Sequence, residues 1–168
     1  LSRGLGDVYK RQVKSNANLQ ILKIIKSFGL GADVVSKGEL MIALKAGIKP
    51  DKIVFSGVGK TIEELKFAID RKIFLINAES ESEILEIEKL AKRKNIKVKI
   101  GIRLNPDTDA NTISKISTGK KENKFGVNKN TFYEIINYCK NSKNIDLKCL
   151  SVHIGSQILD HSPYEKML

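Results

Sequence analysis

Polar, chemistry-bearing side chains end short β-branched runs at six places along the 168-residue chain. Lys14-Ser15-Asn16 follows Val13, Asp33 and Ser36 bracket Val34-Val35, and Ser56-Gly57 follows Ile53-Val54-Phe55. Asn77 and Glu79 follow Leu75-Ile76, Arg103 and Asn105 end the run from Val98, and His153, Gly155 and Ser156 end the run from Leu147. A lysine amine attacks a carbonyl once partial burial or neighbouring cations lower its pKa. Lys, Asp, Arg, His and Ser on one rim are therefore what an imine-forming enzyme needs, with Lys14 as the nucleophile. Each residue also has a plainer reading. A single Lys at a strand end is usually surface charge. Arg103 in an apolar strand requires a partner, and an ion pair or an anion site serves equally. His153 alone reads as a satisfied core histidine, and Gly155-Ser156 as a simple turn.

Bringing six strand ends to one rim takes a repeated strand–helix unit, and the pattern between them supplies it. Helical periods separate the strands: Ile21, Ile25 and Phe28; Leu40 and Leu44; Ile62, Leu65 and Ile69; Ile84, Ile87 and Ala91. Three helices open with the spacing of a capping box, at Ser36–Glu39, Thr61–Glu64 and Ser80–Glu83. A fifth starts at Asn128 or Asn130 and runs to about Asn141. Strands are expected to end at Val13–Lys14 and to cover Asp33–Val35, Lys52–Phe55, Phe74–Asn77, Val98–Leu104 and Leu147–Ile154. Repeated βα units imply an α/β fold with a parallel sheet. Six of them fit an open doubly wound sheet or three quarters of a (β/α)8 barrel, and periodicity does not choose. The stretch from Asn105 to Val127 has no clear element and reads as a functional loop.

Composition narrows the classes. With 41% hydrophobic and 29% charged residues the chain is an ordinary globular one. No run nears the roughly 18 apolar residues of a membrane helix, and no signal peptide opens it. Two cysteines, Cys139 and Cys149, are too few for a disulfide framework and point to a reducing cytoplasm; no His stands at metal-ligand spacing from them, so no metal is expected. The net charge of +11 invites a nucleic-acid reading. Yet Lys supplies 25 of the 30 basic residues, the basic residues alternate with acidic ones, and Trp is absent. That is an AT-rich coding bias and a solvated surface, not a base-stacking platform. Ser56-Gly57-Val58-Gly59-Lys60-Thr61 ends like a phosphate-binding loop, but the first glycine of that motif falls on Val54, inside the strand. The loop is too short to wrap a triphosphate, and Thr61 is better read as a helix cap. Residues 1–12 resemble a translated sequencing adapter; they are expected to be a non-native leader and are set aside. The chain stops at Leu168 just after a helix start at Asp160, Ser162 and Pro163, so a fragment cut at both ends is expected.

Seven motifs in order carry a resemblance: VKSNAN at 13–18, GADVVSKGEL at 31–40, KIVFSGVGKT at 52–61, NAESESE at 77–83, IRLNPD at 102–107, STGKKENKFGV at 117–127 and SVHIGSQ at 151–157. Together they resemble the N-terminal barrel of the bacterial diaminopimelate decarboxylases, a family of fold-type III enzymes dependent on pyridoxal 5'-phosphate. The resemblance covers residues 13–168 and implies an alanine-racemase-like (β/α)8 barrel, with a C-terminal β-domain that this chain lacks. By resemblance Lys14 is the lysine that binds the cofactor covalently and later moves a proton at the reacting carbon. His153 is the histidine stacked on the pyridine ring, Ser156 lies near the phosphate, and Asp33 and Arg103 lie close to the cofactor and its lysine. The implied reaction is decarboxylation of meso-2,6-diaminopimelate to L-lysine and carbon dioxide, by a homodimer in the full-length enzyme. The family's glycine-rich phosphate loop, its glutamate facing the pyridine nitrogen and its substrate-reading residues fall after Leu168, so this chain alone is expected to be inactive. A sister decarboxylase of ornithine, arginine or carboxynorspermidine is the alternative within enzymes. A non-catalytic cofactor-binding protein or a basic interaction domain is the alternative outside them.

Overall fold

The β-branched runs do form strands, and the apolar periods between them form helices. The computed structural model describes residues 9–106, 125–155, 161, 162 and 165. In chain order the elements are β1 (Lys10–Gln12), α1 (Leu19–Ser27), β2 (Gly31–Val34), α2 (Lys37–Lys45), β3 (Ile53–Phe55), α3 (Ile62–Asp70), β4 (Leu75–Ala78), α4 (Glu81–Lys94), β5 (Val98–Leu104), α5 (Lys129–Asn141) and β6 (Ile145–Val152). No helix among the described residues is long and apolar enough to cross a membrane.

All five strand pairings are parallel, and the strands lie side by side in sequence order. That order settles what periodicity left open. A doubly wound sheet reverses direction at a switch point, whereas a (β/α)8 barrel adds each strand beside the last. The sheet is thus a barrel wall of six strands, and no ladder joins β1 to β6 among the described residues. The core lies between wall and helices, where Leu22, Leu40, Leu65, Ile84 and Ile87 pack with Ile53, Phe55, Ile76, Ile100 and Ile102.

Three expectations need correction. The first strand lies at Lys10–Gln12, pairing with Gly31, Ala32 and Asp33, and Val13–Ser15 is a 3-10 turn. Residues 10–12, set aside above with the leader, are therefore part of the sheet. A ladder is made by main-chain groups and asks little of side-chain type. The last strand runs from Ile145 to Val152, so His153 stands just past its end. Only one of the three capping boxes is reciprocal. Thr61 and Glu64 exchange side chain and backbone as expected, but Glu39 and Glu83 reach past their N-caps to the amides of Val35 and Glu79. The cap backbones explain this. Ser36 and Ser80 are fully extended, with φ of −155° and −153°, while Thr61 has φ −74°.

Candidate active site

A cavity of about 770 Å³ opens at the C-terminal ends of the strands and takes lining residues from all six. Lys14 reaches it from the turn after β1. That turn is fixed on both sides. Ser15 Oγ donates to Gln12 O at 2.8 Å, and Asn16 N–H donates to Val13 O at 2.9 Å above a fully buried Val13. Asn16 Oδ1 then accepts from Asn18 N–H, and Asn18 caps α1 by accepting from the Gln20 and Ile21 amides. Every polar residue of the run has a local task except Lys14, which is exposed and makes no hydrogen bond or ion pair among the described residues. It is held in place by its backbone, and its amine is available.

On the next three strand ends the side chains form a directed chain. Asn77 Nδ2 donates to Ser56 Oγ at 3.0 Å, and Ser56 Oγ donates to Asp33 Oδ1 at 2.7 Å. An amide nitrogen only donates, so the serine hydrogen is committed to Asp33. Burial pushes the Asp33 carboxyl above its ordinary range, against the pull of the Ser56 hydrogen bond. Asn77 Oδ1 is buried with no partner among the described residues, and it occupies the space where Gly101 lacks a side chain. A Cβ on Gly101 would lie 2.2 Å from that oxygen. The glycine is what lets Asn77 point into the barrel.

Arg103 finds the partner its apolar strand demanded. Its Nη1 lies 3.2 Å from both carboxylate oxygens of Glu79, which is 7% exposed, and its guanidinium stacks 5.6 Å over the Phe125 ring. Phe125 is brought there because Val127 bonds the end of β5, donating to Arg103 O and accepting from Asn105 N–H. His153 completes the rim. Burial, then the Arg103 cation, with Lys14 adding to it, hold its imidazole below the ordinary histidine range despite Glu79.

Of the residues singled out from sequence, Lys14, Asp33, Arg103 and His153 thus line one cavity, while Ser156 lies outside the described residues, as does most of the loop between Asn105 and Val127. Glu79, Ser56 and Asn77 stood out as polar strand ends but were given no role. Lys60 stands out in the sequence only through the resemblance to a phosphate loop.

A family model described as pyridoxal-dependent decarboxylase, pyridoxal binding domain, matches residues 9–168. A diaminopimelate decarboxylase from Campylobacter jejuni is 49% identical over 151 residues, which is 90% of this chain and 38% of that protein. The crystal structure of a diaminopimelate decarboxylase from Helicobacter pylori complexed with L-lysine superposes with a TM-score of 0.92 at 45% identity, over 95% of this chain and 40% of that one. The arginine decarboxylase of Paramecium bursaria Chlorella virus superposes with a TM-score of 0.77 at 26% identity, again over 95% and 40%. The chain spans about two fifths of the length of these relatives.

Proposed function

The chain belongs to the pyridoxal-dependent decarboxylases, in the part that binds pyridoxal, and from that premise we propose that it carries the lysine and cofactor pocket of an enzyme converting meso-2,6-diaminopimelate to L-lysine and carbon dioxide. The observation that carries the reading is one free amine, Lys14, facing Asp33, Arg103 and His153 across a single cavity at the strand ends. The residues fit pyridoxal phosphate. An amine that must condense with an aldehyde has to be unpaired, and Lys14 has no hydrogen bond or ion pair among the described residues, whereas the nearby Arg103 is matched by Glu79.

When bound, the cofactor supplies an electron sink for the charge left at the reacting carbon. Lys14 would hold it through Nζ, and the same amine would move a proton at that carbon. His153, kept neutral by burial and by Arg103, offers a flat uncharged face for a ring to lie on. Asp33 lines the same cavity, its carboxyl held in place through Oδ1 by Ser56. Ser156 belongs near the phosphate on this reading. The full-length enzyme is then a two-domain homodimer of the cytoplasm, with a small amino acid as substrate and neither nucleic acid nor membrane as partner. The viral arginine decarboxylase supports a sister substrate as the second reading.

Borohydride reduction of the full-length, cofactor-treated protein tests the site. The expected result is a reduced adduct on Lys14 and on none of the other 24 lysines; labels spread over surface lysines overturn it. Carbon dioxide release from diaminopimelate, arginine and ornithine in parallel then separates the two substrates. Release from diaminopimelate alone is expected, and preference for arginine or ornithine transfers the assignment to a sister enzyme.

A further inference from the structure

The Gly57-Val58-Gly59-Lys60 run that fails as a triphosphate loop has another use in this fold. Lys60 Nζ donates to Gly57 O at 2.6 Å, to Asn77 O at 2.7 Å and to Glu83 Oε1 at 2.7 Å, and its side chain is 1% exposed. An ammonium has three donors, and here each is taken by a different segment: the loop after β3, the end of β4 and the first turn of α4. Two of the three acceptors are main-chain carbonyls of residues that line the cavity. Gly57 directly follows Ser56, and Asn77 itself donates to Ser56, so the two carbonyls bracket the chain that ends on Asp33. The third acceptor extends the same control. Glu83 uses its other oxygen to accept from the Glu79 N–H, and Glu79 holds Arg103.

Besides pairing with Glu83, the ammonium thus ties the loop after β3 to the end of β4. We propose that Lys60 is a positioning residue of the active site: its buried ammonium fixes the spacing of the β3 and β4 ends, and through Ser56 and Asn77 it aims the Asp33 carboxyl into the cavity. The proposal rests on the function given above for its catalytic readouts, but not for its structural one.

The test uses full-length, cofactor-loaded protein with Lys60→Met, Lys60→Arg and the double variant Lys60→Met/Glu83→Met. Hydrogen exchange of the Ser56 amide, which donates to Val34 O, reads how firmly the end of β3 is held. Visible circular dichroism of the lysine-bound cofactor reads its orientation, and kcat and KM are measured separately. Lys60→Met is expected to speed Ser56 exchange about tenfold or more and to lower kcat about 10- to 100-fold, with KM changed less than about threefold and the dichroism altered. The double variant removes the unpaired Glu83 charge that Lys60→Met leaves behind and is expected to recover part of the lost melting temperature. It restores neither carbonyl anchor, so kcat and dichroism stay at the Lys60→Met level. Lys60→Arg keeps the charge, but a planar fork does not meet three converging acceptors, so it falls between. Wild-type exchange and dichroism in Lys60→Met, or full kcat in the double variant, overturn the proposal. Should Lys60→Met fail to fold, the arginine variant decides, and wild-type exchange, kcat and dichroism there overturn it. If the unaltered protein takes up no cofactor at Lys14, the functional reading falls, while the exchange measurement still judges Lys60.

Discussion

Glu83 and Glu88 lie on the same helix, α4, and their carboxyls are driven in opposite directions. Their side chains are almost equally covered, 9% and 7% exposed. Burial pushes Glu83 up, and the Lys60 pair does not overcome it. Burial also acts on Glu88, but Lys92, Ser142 and Tyr138 together outweigh it and hold the carboxyl at about 2. Coverage alone therefore does not decide. Glu88 lies under a thin skin of side chains, since Lys92 is 58% and Tyr138 39% exposed, and three donors converge on it. Glu83 lies deep behind the cavity, close to a second carboxylate, Glu79. Asp33 behaves like Glu83, pushed up by burial with Glu39 adding to it. The cavity end of the fold carries costly carboxylates, and the α4–α5 seam carries a satisfied one. Groups whose ionisation is costly cluster where chemistry is done, while satisfied ones stabilise.

The largest effect should come from the cavity end, at a residue with no structural task. Lys14→Ala is expected to lower turnover by about 10²- to 10⁴-fold and to leave the melting temperature unchanged, because Lys14 makes no bond among the described residues. A large fall in melting temperature would mean that the two ends do not divide the work as drawn. The seam should show the reverse. Glu88→Ala removes a carboxyl whose pKa is lowered on folding and, with solvent screening its exposed donors, is expected to cost about 1–2 kcal/mol near pH 7, with turnover unchanged where the protein is folded. The sign follows from the lowered value. Stability from Glu88 is present above 4.5 and is lost as pH falls toward 2. Urea melts of the two proteins should therefore differ at pH 7 and converge as the pH is lowered through that window. Parallel curves would remove Glu88 as the source.

Asp33→Asn sharpens the contrast from the other side. A carboxyl raised on folding adds stability below 3.8 that is lost as pH rises through the raised value. At neutral pH its charge is thus a burden, and an amide oxygen still accepts from Ser56. Stability at pH 7 should not fall, whereas turnover should, by less than for Lys14→Ala. Melts at pH 7 beside a turnover assay check both halves; lost stability would put Asp33 with Glu88.

Much of this was legible in the sequence, and what was not has a common cause. The apolar periods located the helices, and hydroxyl caps located the starts of α2, α3 and α4. Strand order was illegible because pairing depends on which edges meet. Lys60 and Glu83 are 23 residues apart, and Arg103 and Glu79 are 24, so neither pair leaves a local pattern. The cap boxes erred for a related reason: spacing gives the glutamate, but the extended φ of Ser36 and Ser80 sends it one residue further back. Lys14, Asp33, Arg103 and His153 were singled out by type and motif, and the barrel wall brings them to one cavity.

The smallest expected effect asks whether α4 couples the two ends or merely joins them. Ser80 caps the helix, its Oγ accepting from Glu83 N–H at 3.2 Å, in the turn that presents Glu83 to Lys60. Ser80→Ala is expected to cost about 1 kcal/mol, a fall of about 2–4 °C in melting temperature for a chain of this size. The loosening should stay in the first turn, because helix ends fray locally while Glu88 is anchored to α5 and its end through Tyr138 and Ser142. The acid limb of the stability curve should then keep the position it has in the unaltered protein. If that limb moves with the cap, Glu88 feels the first turn, and the two carboxylate networks are a single coupled unit.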